Sequence, residues 1–207
     1  HPQAMIVREL GCAAWGGALI DAAAILPEKI VGVEIKGEGD SPTRLDRQGM
    51  MYSRVARTMY LLPDATLLDR CLKRCPPGWG VLASEQRTAE WVASGPLWRK
   101  RFTGRDGLGL GLAPAALVTM VWTREYPKFS AALGYAFPKR RDKQSITELV
   151  TERSSLREIE RAVCAVLLTR DWSPKTVYFP DDARARAEER LGEAVKTGEG
   201  VQASLFS

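Results

Sequence analysis

The sequence predicts an α/β protein built on a mixed β-sheet flanked by helices. Three observations carry this expectation. Residues Ile30-Val31-Gly32-Val33-Glu34-Ile35-Lys36 are β-branched and alternate in character, which reads as a strand. A small apolar run, Ala18 to Ile25, precedes it and is broken by one acid, Asp21, so the two runs predict a hairpin across Leu26-Pro27-Glu28-Lys29. Strand-like and helix-like stretches then alternate as far as residue 83, the pattern of a sheet with helical crossovers.

Taken in order, Ile6 to Gly11 reads as the end of a helix or a short strand closed by glycine. After the hairpin, Gly37 to Pro42 is a loop. Ser41 is placed to cap a helix with Pro42 in its first position, and that helix runs to about Val55. Thr58 to Leu62 is a strand, Ala65 to Cys75 a helix, and Trp79 to Ala83 a last short strand. The order β-β-α-β-α-β makes a core over residues 6–83. Residues 84–112 read as a basic, loop-rich connector. Gly107-Leu108-Gly109-Leu110-Gly111 lacks a preceding strand and the spacing of a phosphate loop, so it is read as flexible linker. Residues 113–126 and 145–170 have helical periodicity, with Leu149, Leu156, Ile159, Val163, Val166 and Leu167 on apolar faces. They predict an α-helical subdomain over 113–196 that ends in a charged helix, Ala183 to Lys196. Residues 197–207 are a flexible tail.

Composition narrows the chemistry. The chain has 207 residues, 30 Lys+Arg against 25 Asp+Glu, and a net charge of +5. With 45% apolar and 27% charged residues it is neither disordered nor a membrane protein, and no run reaches the roughly 18 apolar residues of a membrane span. No basic region leads into an apolar stretch at the N-terminus, so no signal peptide is expected. The single histidine is His1, which removes Ser-His-Asp triads, Cys-His dyads and histidine zinc sites. Cys12, Cys71, Cys75 and Cys164 have no metal-knuckle spacing and read as buried thiols of a cytoplasmic protein. Two basic clusters, Arg99-Lys100-Arg101 between Trp98 and Phe102, and Lys139-Arg140-Arg141, suit phosphate contacts.

Glu34-Ile35-Lys36 is the one acid-x-Lys tripeptide in the chain. Period-2 geometry puts Glu34 and Lys36 on one face of the strand, and Val33 and Ile35 are expected to point the other way, into the core. Asp21 lies on the preceding strand, so two acids and a lysine converge on one side of an apolar sheet. Charges there are costly unless paired or metal-bound.

This pattern resembles the PD-(D/E)XK nuclease superfamily, in which an acid on one strand is followed across a hairpin by D/E-x-K. Gln48 and Tyr52, four apart, match the glutamine and tyrosine of its RecB-like branch. The stretch from Val33 to Ser41, with Arg44-Leu45 and Arg47-Gln48 and the later Trp79-Gly80-Val81, is similar to small bacterial and phage nuclease-like proteins. Leu19 stands where many members have a basic residue, and Ile20 where many have proline. The resemblance implies a restriction-endonuclease-like fold. It also implies that Asp21, Glu34 and the Ile35 carbonyl hold Mg²⁺ or Mn²⁺, with Glu9 as a further acid from upstream. Lys36 is implied to hold the attacking water, with Gln48, Tyr52 and Arg44 touching substrate phosphate or the lysine. Arg44, Arg47 and the two basic clusters would hold DNA.

Gln202-Ala203-Ser204-Leu205-Phe206 resembles the bacterial sliding-clamp-binding pentapeptide, with Gln202, Ser204, Leu205 and Phe206 at matching positions and Ala203 departing. The joint expectation is a metal-dependent deoxyribonuclease of repair or replication, recruited by the β sliding clamp and not bound to a membrane. A catalytically inactive DNA-binding adaptor and a phage clamp-interacting protein are the alternatives.

Overall fold

The structure, a computed structural model, describes residues 4–12, 17–84, 98–102, 111–139 and 142–178, with 185, 188, 189, 191 and 192. Among the described residues the sheet has seven strands in the order β6-β5-β4-β3-β2-β1-β7. β1 (Met5–Cys12), β2 (Ala18–Ile25) and β3 (Ile30–Lys36) form an antiparallel meander. A helical crossover through α1 (Leu45–Tyr52) returns the chain to β4 (Thr58–Pro63), parallel to β3. A second, through α2 (Leu68–Leu72), leads to β5 (Gly80–Ser84), parallel to β4. β6 (Trp98–Phe102) then pairs antiparallel with β5. The α/β class and the mixed sheet follow the sequence reading.

The hairpin, β4 and the first crossover also lie where the sequence places them. Residues 6–11 are strand, and β1 becomes the partner of β2. The helix expected from Ser41 to Val55 begins as a 3-10 turn, Pro42–Arg44, with Ser41 Oγ accepting from Thr43 N, and α1 stops at Tyr52. The helix expected over Ala65 to Cys75 is likewise a 3-10 turn, Ala65–Leu67, capped by Asp64, followed by the short α2. Gly49 permits the seating of α1, because a Cβ there would meet the Pro76 ring at 2.5 Å.

Two expectations are corrected. The strand after Trp79 is not the last, and residues 98–102 are an edge strand rather than connector loop. Arg-Lys-Arg has poor strand propensity, but an edge strand tolerates charge because it blocks sheet-to-sheet aggregation. Residues 140 and 141 of the second cluster, 103–110 of the glycine-rich linker and 197–207 lie outside the described residues, as does most of the charged helix 183–196.

The helical part comprises α3 (Pro114–Thr119), α4 (Tyr126–Leu133), α5 (Lys143–Arg153) and α6 (Leu156–Thr169). Ser155 and Glu158 form a capping box that starts α6. A left-handed Gly134 (φ 78°) ends α4. This part is not packed apart from the sheet. Leu117, Phe129, Ile159, Val163 and Val166 share one buried cluster with Val7, Ile25, Met59 and Leu61. The Arg57 guanidinium, at the entry to β4, grips the buried carboxylate of Glu160 on α6. After α6 the chain comes back to the sheet as β7 (Thr176–Tyr178), antiparallel to β1. No helix among the described residues is long and apolar enough to cross a membrane.

Candidate active site

The site forms where two strands part. The β2–β3 ladder runs from Ile25↔Ile30 to Ala22↔Val33, while β2 stays paired with β1 from there to Ala18. At the fork the Ile35 N–H is taken by the Asp21 carboxylate (Oδ2, 2.7 Å). The opening is a cleft of about 470 Å³ lined by Leu19 and Asp21 of β2, Glu34, Ile35 and Lys36 of β3, and Arg44, Arg47, Gln48 and Tyr52 around α1.

The face assignment within β3 is the reverse of the sequence expectation. Ile35 is 44% exposed, while Glu34 and Lys36 are 1% and 3% exposed on the same face as Ile30 and Gly32. Alternation tells which residues share a face, but not which face a helix covers. α1 covers the face of Glu34 and Lys36, and it presents polar groups to them. Lys36 Nζ donates to Glu34 Oε1, and Gln48 Nε2 donates to the same oxygen at 2.6 Å. Glu34 Oε2 and Gln48 Oε1 are buried without a hydrogen-bond partner. Burial pushes the Glu34 carboxyl above its ordinary range and the nearby Asp21 adds to this, while the hydrogen bonds from Lys36 and Gln48 oppose it.

Tyr52 is a strut. Its hydroxyl donates to the Leu19 carbonyl at 2.5 Å and accepts from Gln48 Nε2 at 3.2 Å. Its ring stacks on Trp79 (centroids 6.1 Å, planes 11° apart), whose indole N–H donates to Ser53 Oγ at 3.1 Å. Burial pushes the phenol pKa up, so the hydroxyl stays protonated and tied to Leu19. Tyr52 lines the cleft, and its hydroxyl ties α1 to β2 at Leu19.

Other expected residues fall unevenly. Arg44 and Arg47 are exposed on the rim of the cleft. Glu9 does not line it. Its carboxylate is paired with Lys175 at 3.1 Å and is largely exposed. The strand bearing Arg99, Lys100 and Arg101 is separated from β3 by β4 and β5. Lys139 is exposed and does not line the cleft, and Arg140, Arg141, Gln202, Ser204, Leu205 and Phe206 lie outside the described residues.

Sequence reasoning missed Asp40, which lines the cleft and accepts from Gly37 N at 2.8 Å, and the role of Trp79 and Ser53 behind Tyr52. The Gly37-x-Gly-Asp40 turn pattern was the available signal for the first.

The donor set fits a hard divalent cation. Asp21 and Glu34 offer carboxylate oxygens, Glu34 Oε2 is buried and unsatisfied, and no thiol or imidazole lines the cleft. Among the described residues no group of three or more His, Cys, Asp or Glu gathers to hold a metal ion. The four cysteines are free, and Cys12, Cys71 and Cys164 are buried. Burial pushes the Cys12 thiol up to about 12, so it is an inert neutral group. No family model, curated protein or solved structure matches this chain.

Proposed function

We propose that this protein is a metal-dependent DNA nuclease of the PD-(D/E)XK kind, acting in DNA repair or replication. The observation that carries the reading is Glu34. One of its oxygens accepts from both Lys36 and Gln48, while the other is buried with no hydrogen-bond partner. A purely structural ion pair would have no use for that second, orphaned oxygen. The mixed sheet flanked by helices is compatible with the fold class that the resemblance implies.

Asp21 and Glu34, with the Ile35 carbonyl, would hold Mg²⁺ or Mn²⁺. When bound, such an ion acidifies a coordinated water and neutralises phosphate charge. The chain's own groups do the rest. Gln48 and Lys36 fix the Glu34 carboxylate through Oε1 and leave Oε2 without a hydrogen bond. Lys36, a buried ammonium at the foot of the cleft, orients the attacking water and offsets negative charge that develops on the phosphate. Arg44 and Arg47 on the rim hold the neighbouring phosphates of the strand. Tyr52 keeps α1 at its distance from β2.

Recruitment by the β sliding clamp is proposed from Gln202, Ser204, Leu205 and Phe206 alone. The test is a cleavage panel on single-stranded, duplex, flap and mismatched DNA with Mg²⁺ or Mn²⁺, comparing wild type with Glu34→Ala. Metal-dependent cleavage lost in the variant is the expected result. DNA binding without cleavage in either metal would overturn it and favour the adaptor. Pull-down of the clamp by wild type, and not by a chain lacking residues 202–206, tests the tail separately.

A further inference from the structure

Glu9 stands outside the cleft, yet its backbone bears on Asp21. It has a φ of 52°, the sole positive φ of a non-glycine among the described residues. It lies opposite Asp21, between the pairs Arg8↔Ala22 and Leu10↔Ile20. Both strands turn over at this point. Met5 and Val7, then Leu10 and Cys12, are the buried residues of β1, so an odd step separates the two sets. β2 does the same, with Ile25 and Ala23 buried, then Ile20.

The turnover is real and not a second covered face. Ala23 pairs directly with Gly32, and a Cβ placed on Gly32 would meet Ile20 Cγ2 at 3.0 Å. Ile20 and Ala23, three apart, therefore share one face, which an undistorted strand forbids. Asp21 sits inside the turnover. Its carboxylate crosses to Ile35 N–H at the place where the next ladder bond would form.

The kink in β1 is held from outside. Lys175 Nζ reaches the Glu9 carboxylate at 3.1 Å and its carbonyl at 3.4 Å. Arg8 N donates to Lys175 O at 2.9 Å, and the Arg8 guanidinium reaches Pro174 O. The clamp therefore comes from the turn after α6, more than 150 residues further along the chain.

We propose that Glu9 is a positioning residue: its left-handed backbone, clamped by residues 174–175, turns β2 over at Asp21 and aims that carboxylate at Ile35 and the cleft. This rests on the metal reading of Asp21 and Glu34. It makes the helical part, through the turn that follows it, necessary for the geometry of a site in which it places no side chain. It also gives Glu9 a role through its φ, with its carboxylate paired to Lys175 and not held in the cleft.

The test separates conformation from charge. Glycine adopts positive φ freely, whereas a β-branched residue resists it. In the full chain, Glu9→Gly should keep the Ile35 amide as protected from hydrogen exchange as in wild type. Glu9→Val should lower that protection about tenfold or more, with the amides of Met59 and Leu61 unchanged. Mn²⁺ affinity, read from free Mn²⁺ by electron paramagnetic resonance, should be kept in Glu9→Gly and fall about tenfold in Glu9→Val, as for other residues that orient a ligand. If Glu9→Val does not fold, Lys175→Met should show the same local loss at Ile35.

Wild-type protection at Ile35 in a folded Glu9→Val, or in Lys175→Met where the valine variant does not fold, would overturn the proposal. Loss of Mn²⁺ binding in Glu9→Gly with Ile35 still protected would also overturn it, since Glu9 would then act by charge. A wild type that binds no Mn²⁺ would defeat the metal reading but leave the exchange result to decide the positioning.

Discussion

Two regions of this molecule bury a carboxylate against a cation, and they treat it in opposite ways. In the helical part the Glu125 carboxylate is fully used. Arg170 donates Nε to Oε1 at 2.7 Å and Nη2 to Oε2 at 2.5 Å, and Trp122 N adds a bond to Oε2. The guanidinium lies over Trp122 at 3.9 Å and Trp172 at 4.8 Å. Glu160 is likewise gripped at both oxygens by Arg57. In the cleft, Lys36 and Gln48 both choose Oε1 of Glu34 and leave Oε2 empty-handed. Burying charge is costly in both places. Only the first place spends every valence on the fold. The unsatisfied oxygen is what distinguishes the two arrangements, and charge burial alone would not have told them apart.

The largest effect that tests this contrast is on activity. Lys36→Ala should lower metal-dependent cleavage by about 10²–10³-fold, the loss expected when one preorganised donor is removed from a developing charge. DNA binding should persist, as measured by fluorescence anisotropy in Ca²⁺. Equal loss of binding and cleavage would make Lys36 a phosphate anchor.

The complementary change is on stability. Glu125→Ala strands the Arg170 guanidinium, whose side chain is 5% exposed, and should destabilise the fold by about 3–5 kcal/mol in denaturant melts, with cleavage per folded molecule unchanged. A stability cost at Glu34→Gln as large as at Glu125→Ala would erase the contrast.

A middle case is Gly49→Ala. The added methyl meets Pro76 at Cγ 2.5 Å and Cβ 2.7 Å, and a proline ring cannot swing away. The expected cost is about 1–3 kcal/mol from overpacking. Because Gln48 rides on the same helix, cleavage should fall more than stability does. Calorimetry beside kcat measurement checks it.

How much of this was legible in the sequence depends on what kind of force sets each feature. β3 and its helix were legible because period-2 alternation and the Ser41-Pro42 start are local signals. That Asp21 comes near Glu34-Ile35-Lys36 was legible because a short hairpin sets β2 beside β3, whereas the bond from the Ile35 N–H to the Asp21 carboxylate, beyond the last ladder pair Ala22↔Val33, was not. The buried face of Glu34 was not, since the cover comes from α1, and the polar side of that helix shows its purpose only once Gln48 is seen on Glu34. β6 was hidden by three basic residues whose local propensity disfavours the strand that pairing imposes. The posture of Glu9 was beyond sequence reasoning, because its neighbours there come from residues 174–175, far along the chain. Its acidity invited a ligand role, while the structure pairs its carboxylate with Lys175.

The smallest effect is also the most discriminating, because its sign differs between the two regions. In the helical part Asp142 caps α5 by accepting from Ser145 N at 2.8 Å, which holds its carboxyl below the ordinary 3.8. Glu158, in the capping box of α6, is held below 4.5 by Ser155. A carboxyl lowered by folding contributes stability above its unfolded pKa and loses it as pH falls through the folded value. Glu34 is raised by burial, so its contribution is present below 4.5 and is lost as pH rises through its folded value. Acidification should therefore loosen the first turn of α6 below about pH 4.5 and that of α5 below about pH 3.8, while relieving the burial of charge at β3. Residue-resolved hydrogen exchange, corrected for intrinsic rates, reads this directly. Protection of the Ser145 and Ser155 amides, which donate to the Asp142 and Glu158 carboxylates, should fall with pH while that of β3 holds or rises. Parallel loss in both regions would mean that Glu34 is stabilised as the anion, with its second oxygen already satisfied.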